Sequence, residues 1–405
     1  MLLKDSLLAS LLHNPKTFDS KKMKLLHKIL ASVAITITAT FVGLLPRAQA
    51  ATLGDSTVFT KIPTPPGFPE GIAVSGDRVY VCGPAVLGNF QQSSVLAYNL
   101  SGTFVQQYPI QNQNFAQPHA LAGCTFNEKD ILYAVDTQQG VIRFNVNELG
   151  MQEVYAAALP DLPTCASVPA GTPCSPTAID RPPLPNDIRF DQNGYAYLSD
   201  SFQATIWRIP PGGGQPQIWF QNSLLDIDFG PNGIGIDANA AELYFALTFD
   251  SLGQGSIYKV PLLDSPTAEN LALFHQYSPG LGPDGIAFGE SGKLYVALAG
   301  SNQISVLQPD GTESARYSGP AIDPNNPNQP LIWANPANIA FNDQTRSLLV
   351  TNHASLFPKP EPLFGVVEVF VDDEAAKVPE PSSVGALWLS SLVAFSFRKK
   401  FKQEK

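Results

Sequence analysis

The sequence predicts an all-β fold, a six-bladed β-propeller with a metal site on its axis. Three observations carry this prediction. A short phrase recurs about every fifty residues: Pro69-Glu70-Gly71-Ile72-Ala73, Pro118-His119-Ala120-Leu121, Pro185-Asn186-Asp187-Ile188, Pro231-Asn232-Gly233-Ile234, Pro283-Asp284-Gly285-Ile286-Ala287 and Pro336-Ala337-Asn338-Ile339-Ala340. Turn signals and alternating strands follow the phrases, as in Asp191-Gln192-Asn193-Gly194 before Tyr195-Ala196-Tyr197-Leu198, which is a hairpin pattern. A third strand then comes, as in Thr205-Ile206-Trp207-Arg208-Ile209 or Gln303-Ile304-Ser305-Val306-Leu307, with room for a fourth before the next phrase. Four short strands per repeat at this period describe a propeller blade.

The intervals between Glu70, His119, Asn186, Asn232, Asp284 and Asn338 are 49, 67, 46, 52 and 54 residues. The long interval contains the Pro-rich stretch 160–185, expected to be a surface insertion. Thr57-Val58-Phe59-Thr60-Lys61-Ile62 is expected to add a strand to the last blade, since an open terminal blade would expose an unpaired edge. The expected domain is therefore a single propeller over 51–377. Aromatic residues such as Trp207, Tyr195 and Tyr244 follow the strand alternation and are read as packing between blades.

Residues 1–50 read as a secretory signal peptide, with Met23 an alternative start. Lys21, Lys22, Lys24 and Lys28 precede an apolar run over 29–45, and Ala48-Gln49-Ala50 forms the cleavage signal. At the other end, 378–405 carries Val378-Pro379-Glu380-Pro381-Ser382-Ser383, a largely apolar stretch over 384–397 and the basic cluster Arg398-Lys399-Lys400-Phe401-Lys402. This order resembles the PEP-CTERM sorting signal, which implies processing by an exosortase. A plain C-terminal anchor with a positive-inside stop is the other reading. Either one exports the domain to the periplasm, cell surface or extracellular matrix and holds it, transiently or stably, at a membrane.

Export agrees with the cysteines, because disulfides persist outside the cytosol. Cys165 and Cys174 bracket eight residues of the insertion and form the expected staple; Cys82 and Cys124, in neighbouring blades, either pair or stay buried thiols. No Cys-x-x-Cys spacing occurs, which removes zinc ribbons and redox motifs. Residues 51–378 hold 13 basic and 31 acidic residues, a net charge of −18. Such a surface repels nucleic acid and favours cations. No Gly-x-Ser-x-Gly elbow or phosphate loop is present.

In a propeller the innermost strand of each blade lines the channel, so residues that begin those strands converge on the axis. Here these are Glu70, His119, Asn186, Asn232, Asp284 and Asn338. Taken singly, each reads first as a turn residue; their shared phase makes them a candidate oxygen-rich cation site of the kind calcium or magnesium prefers. His119 is either a proton acceptor near neutral pH or a ring held in the channel wall. Asp187 is expected to steady the Asn186 amide. Asp200 and Asp250 read mainly as turn caps. His275 and His353 read as structural, His353 being the better candidate for a pocket edge.

These phrases resemble the six-bladed calcium-dependent lactonase group that includes SMP-30/gluconolactonase proteins and paraoxonases, over roughly 57–373. The resemblance implies metal ligands at Glu70, Asn186, Asn232 and Asp284, with calcium or another divalent ion as cofactor. It also implies that Asp284 serves as the base that activates water against a lactone carbonyl. In the paraoxonase branch a His starts the second blade, which matches His119; its usual His partner is replaced by Asp136, which either orients the imidazole or marks an absent dyad. The expected activity is thus lactone or ester hydrolysis by a monomer. Two other readings remain: a non-catalytic, calcium-stabilised propeller that binds an extracellular polysaccharide or envelope partner, and a lyase of the strictosidine-synthase kind on the same scaffold.

Overall fold

The computed structural model describes residues 51–86, 88–128, 130–148, 151–227, 229–319 and 333–377. The signal-peptide and sorting-signal expectations fall on residues outside these. The described residues form 24 strands in six four-stranded antiparallel sheets, with four single-turn 3-10 helices and no α-helix among them. Each sheet is one blade, and in five of them the strands pair in sequence order. In the sixth, the strand Ser56–Lys61 pairs with Gly365–Phe370 and so supplies the outer strand, as the sequence predicts. Chain start and chain end thereby close the ring within one sheet, which leaves no open seam between the last blade and the first.

The inner strands are Ile72–Ser75, Leu121–Glu128, Pro185–Phe190, Phe229–Ile236, Pro283–Phe288 and Pro336–Asn342. A repeated aromatic contact locks four of the seams: a Tyr on the second strand of one blade meets a Phe on the inner strand of the next. The pairs are Tyr80 with Phe126 (5.1 Å between ring centres), Tyr133 with Phe190 (4.7 Å), Tyr244 with Phe288 (4.9 Å) and Tyr295 with Phe341 (5.5 Å). Edge-on and tilted pairs of this kind add to the apolar area they bury. Trp207 and Tyr244 lie in such clusters, as expected, and Tyr195 is only half-buried beneath the Arg208 guanidinium.

Five inner strands share one irregularity. Pro185 stands opposite Asp200 and Ile188 opposite Leu198, with the ladder slipping between them; Pro231 and Ile234, Pro283 and Ile286, and Pro336 and Ile339 repeat the pattern. In blade 2 the equivalent residues are Leu121, opposite Asp136, and Cys124, opposite Ala134. A bulge of this sort turns two residues out of the ladder and re-aims them. Those two residues are where the axial site forms.

Backbones approach closely at the second bulge position and its blade 1 counterpart. A Cβ on Gly71 would lie 2.5 Å from the Ala122 carbonyl oxygen, one on Gly123 2.8 Å from that of Asn186, and one on Gly285 2.5 Å from that of Ala337. Gly233 meets Asp284 in the same way. Glycine therefore recurs in the phrase because each inner strand abuts the next main chain to main chain.

Both cysteine pairs are disulfides. Cys165–Cys174 staples the insertion, as expected, and Cys82–Cys124 ties blade 1 to the inner strand of blade 2. After the last strand the chain turns back across blade 5. There Asp373 accepts hydrogen bonds from the Ser291 N–H and hydroxyl and from Tyr295 Oη, and Ala376 N–H donates to Phe288 O. Among the described residues no helix is long and apolar enough to cross a membrane.

Candidate functional site

The shared bulge defines which residues face one another across the channel. Its first position holds Ala122, Asn186, Asn232, Asp284 and Ala337, and its second holds Gly123, Asp187, Gly233, Gly285 and Asn338; in blade 1 Glu70 and Gly71 take the equivalent places, both bonded to Cys82 just before the strand begins. Two expectations are corrected by this register. His119 precedes its blade's bulge by three residues, so Ala122 occupies the axial position that His119 was expected to fill. Asn338 is one residue late, and Ala337 stands in its place. The axial ring is thus four oxygen-bearing side chains and two alanines.

Three of the four polar members are buried, Glu70 at 8%, Asn186 at 7% and Asn232 at 2% exposure, and Asp284 is partly buried. Each amide is tethered through its nitrogen. Asn186 Nδ2 donates to Ser201 Oγ (3.3 Å) and Asn232 Nδ2 to Thr248 Oγ1 (3.0 Å). Their Oδ1 atoms, and Oδ1 of Asp284, are buried without a hydrogen-bond partner. Orphaned buried oxygens are costly unless something outside the protein satisfies them. Three of them on three neighbouring inner strands, with a second carboxylate at Glu70, form a donor set that fits a hard divalent cation. No group of three or more His, Cys, Asp or Glu among the described residues could hold an ion alone, so the two amides are essential to the set.

Charge is concentrated here. Burial first, then Asp284 and Asp187, push the Glu70 carboxyl well above the usual carboxylate range. Burial and then Asp187 do the same to Asp284, against a smaller opposing effect of the Asn232 side chain. Crowded buried carboxylates hold protons in the absence of a compensating positive charge, and a bound cation removes that penalty.

Asp187 has a different task from the one the sequence suggested. It does not hold the Asn186 amide, which Ser201 tethers; its Oδ1 pairs with Arg189 Nη1 (2.9 Å) and its Oδ2 accepts the Ile234 N–H of the next blade (3.1 Å). Asp187 therefore bridges blades 3 and 4 next to the ring, with Arg189 against its other oxygen. Asn338 turns inward on itself, its Oδ1 accepting the Ile339 N–H, while its own N–H donates to Thr351 Oγ1. The Thr351 hydroxyl donates in turn to Glu70 O (2.8 Å) and closes the ring from blade 6 to blade 1.

Of the two readings of His119 and Asp136, the structure has the one without a dyad. Nδ1 and Nε2 of His119 face the Gln117 and Gln91 carbonyl oxygens (3.1 and 2.7 Å), and the Asp136 carboxylate accepts Gln113 Nε2 and the Gln138 and Gln139 N–H groups. With both ring nitrogens against carbonyls, His119 is wall structure. The histidine beside the ring is His353, whose Nε2 lies 2.7 Å from Ala85 O and 3.9 Å from Glu70 Oε2; burial lowers its pKa. Asp200 and Asp250 cap turns, as the sequence suggests, Asp200 through the Leu184, Phe202 and Gln203 N–H groups and Asp250 through those of Leu252 and Gln254.

Sequence reasoning missed Ser201, Thr248 and Thr351, which orient the ring. Their signal is a hydroxyl at the end of a second strand, where apolar residues otherwise run to the channel. The Cys165–Cys174 insertion joins the outer strand of blade 2 to Pro185, which puts it on the face where the ring opens.

No curated protein matches the sequence. Among solved structures, a calcium-binding regucalcin from Agrobacterium tumefaciens shares 17% identity at a TM-score of 0.52, covering 80% of this chain and 98% of its own. A gluconolactonase from Xanthomonas campestris shares 16% identity at a TM-score of 0.52, covering 81% and 93%. A luciferin-regenerating enzyme shares 14% at 0.51, covering 77% and 94%. These likenesses establish the common fold. Residues 111–328 match the SMP-30/gluconolactonase/LRE-like family model, a span that contains the Asn186, Asn232 and Asp284 phrases. The chain is a member of the SMP-30/gluconolactonase/LRE-like family.

Proposed function

We propose that this chain is an exported, calcium-dependent hydrolase of lactone-type esters. The observation that carries the reading is the trio of buried, unpartnered oxygens on Asn186, Asn232 and Asp284 beside the Glu70 carboxylate. A divalent cation among these oxygens would polarise a substrate carbonyl. Asn186 and Asn232 keep their oxygens forward because Ser201 and Thr248 hold their nitrogens back. Asp284 would help hold the cation and would also serve as the base that takes a proton from the attacking water. Family membership and the gluconolactonase of the same fold support lactones as the substrate class.

Export rests on the signal-like residues 1–50 and the PEP-CTERM-like residues 378–405, with an exosortase as processing partner. Two disulfides, which persist in oxidising compartments, support it.

The test is hydrolysis of a panel of aliphatic and sugar lactones, with calcium and after chelation. Turnover that disappears with the metal is the expected result. One observation favours the non-catalytic reading: both His119 nitrogens are engaged, so Asp284 has no such partner. Tight calcium binding with no turnover on any lactone would establish that second reading, with an extracellular polysaccharide as the ligand to try next.

A further inference from the structure

The axial channel has a second end. Beyond the Asp187–Arg189 pair the inner strands diverge into a cavity of about 480 Å³, walled by Phe126, Phe190, Phe288, Phe341, Ile236 and Ile286. That volume suits a small organic ligand. Its lining comes from the later residues of the inner strands, so it lies on the opposite side of the ion pair from the ring of oxygens. Ala375 and Ala376, which follow the last strand, complete its wall.

Among the described residues, Arg189 is the one positively charged residue in this lining. Its Nη1 is committed to Asp187 Oδ1 and Ile188 O (2.8 Å), whereas Nε and Nη2 have no partner among the described residues. The side chain is 21% exposed while Asp187 is fully buried, so the guanidinium has one edge in the protein and the rest open to the cavity. A planar guanidinium with a free pair of parallel N–H donors matches a carboxylate bidentately. Asp191 and Asp343 also line the cavity, and both are already engaged. Asp191 accepts the Asn193 and Tyr195 N–H groups and Asp343 accepts that of Ala375.

We infer that this cavity is a second ligand site, separate from the ring of oxygens, which takes a monocarboxylate with a compact apolar body: the carboxylate on Arg189 and the body among the phenylalanines. The apolar walls supply affinity in proportion to the area they cover, and Arg189 supplies the choice of headgroup. Nothing in this inference depends on a cation at the ring.

The test is calorimetric titration of the full-length protein with octanoate, octanol and octylammonium, each with EDTA and again with calcium. Octanoate is expected to bind one to one, at least tenfold more tightly than the other two, and with the same affinity in both buffers. Ala340→Trp, which fills the cavity without touching the ion pair, should abolish that binding at an unchanged melting temperature. Arg189→Leu should leave octanoate and octanol equal. Equal binding of octanoate and octanol to the unsubstituted protein, or octanoate binding that survives Ala340→Trp, would overturn the site. If Arg189→Leu does not fold, these two results still decide it.

Discussion

The amide nitrogen of Asn232 donates to Thr248 Oγ1 at 3.0 Å, and this one bond decides which end of the amide looks into the channel. Thr248→Val removes the acceptor at nearly constant volume. Calcium affinity is expected to fall about tenfold, equivalent to roughly 1.4 kcal/mol, with little change in melting temperature. Asn232→Ala is expected to abolish binding. A calcium titration of both variants checks this, and wild-type affinity in Thr248→Val would show that the tether is idle.

Gly285→Ala tests the ring's construction rather than its chemistry. The new Cβ would lie 2.5 Å from both Ala337 O and Asn338 Cα, which are main-chain atoms that cannot rotate away. Blades 5 and 6 must separate locally, at a cost of about 1–3 kcal/mol. Urea unfolding should report that loss, accompanied by weaker calcium binding because Asp284 precedes the displaced residue.

The two disulfides should behave differently. Cys82 N–H donates to Gly71 O (2.8 Å) and its carbonyl accepts the Glu70 N–H (2.9 Å), so the bridge to Cys124 braces the segment that carries Glu70. Replacing Cys82 and Cys124 together by Ala is expected to cost about 2–4 kcal/mol of stability and to weaken calcium binding. The corresponding Cys165 and Cys174 double variant alters an insertion loop and should leave calcium affinity intact. Equal calcium affinity in both double variants would refute the brace.

Asp200 predicts a pH dependence of stability. Burial raises its pKa from 3.8 to about 6, although four hydrogen bonds oppose the rise. Between these values the folded state holds the proton that the unfolded chain has lost. Its stabilising contribution is therefore complete below about pH 4 and disappears as pH rises through about 6, a change of about 3 kcal/mol at most. Melting curves from pH 4 to 7, recorded with chelator, should show a falling trend that is shallower in Asp200→Asn. Parallel trends in the two proteins would mean that Asp200 is ionised throughout.

Much of this architecture was legible because the repeating phrase has physical causes. The glycine answers a main-chain contact between blades, and the following Ile re-enters the ladder after a bulge. The four metal-ligand candidates Glu70, Asn186, Asn232 and Asp284 take equivalent positions for that reason. Blade 2 misled because Leu121 replaces Pro and Ala122 the polar residue, while Pro118-His119 imitates the phrase three residues early. One signal could have corrected it: Pro185 pairs with Asp200, and the same offset counted back from Asp136 leads to Leu121. The roles of Asp187, Ser201 and Thr351 were not legible, since each acts on a different blade or strand from its own phrase.

His119 gives the sharpest contrast between the two views. As a catalytic base it would have to present a nitrogen to water, yet each of its nitrogens meets a main-chain carbonyl, one of them 28 residues away at Gln91. The ring therefore links the long loop of blade 1 to the entry of blade 2, where Asn89 and His119 also pair through their main chains. His119→Ala is expected to lower the melting temperature by a few degrees, in line with about 0.5–1.5 kcal/mol for a lost hydrogen bond. Calcium affinity and the pH profile of any lactone hydrolysis should stay unchanged, because His119 stands outside the axial ring, where Ala122 takes the blade 2 position. The opposite pattern, an unaltered melting temperature with a lost acidic limb in the pH profile, would return His119 to the chemistry and require the wall contacts to open during turnover.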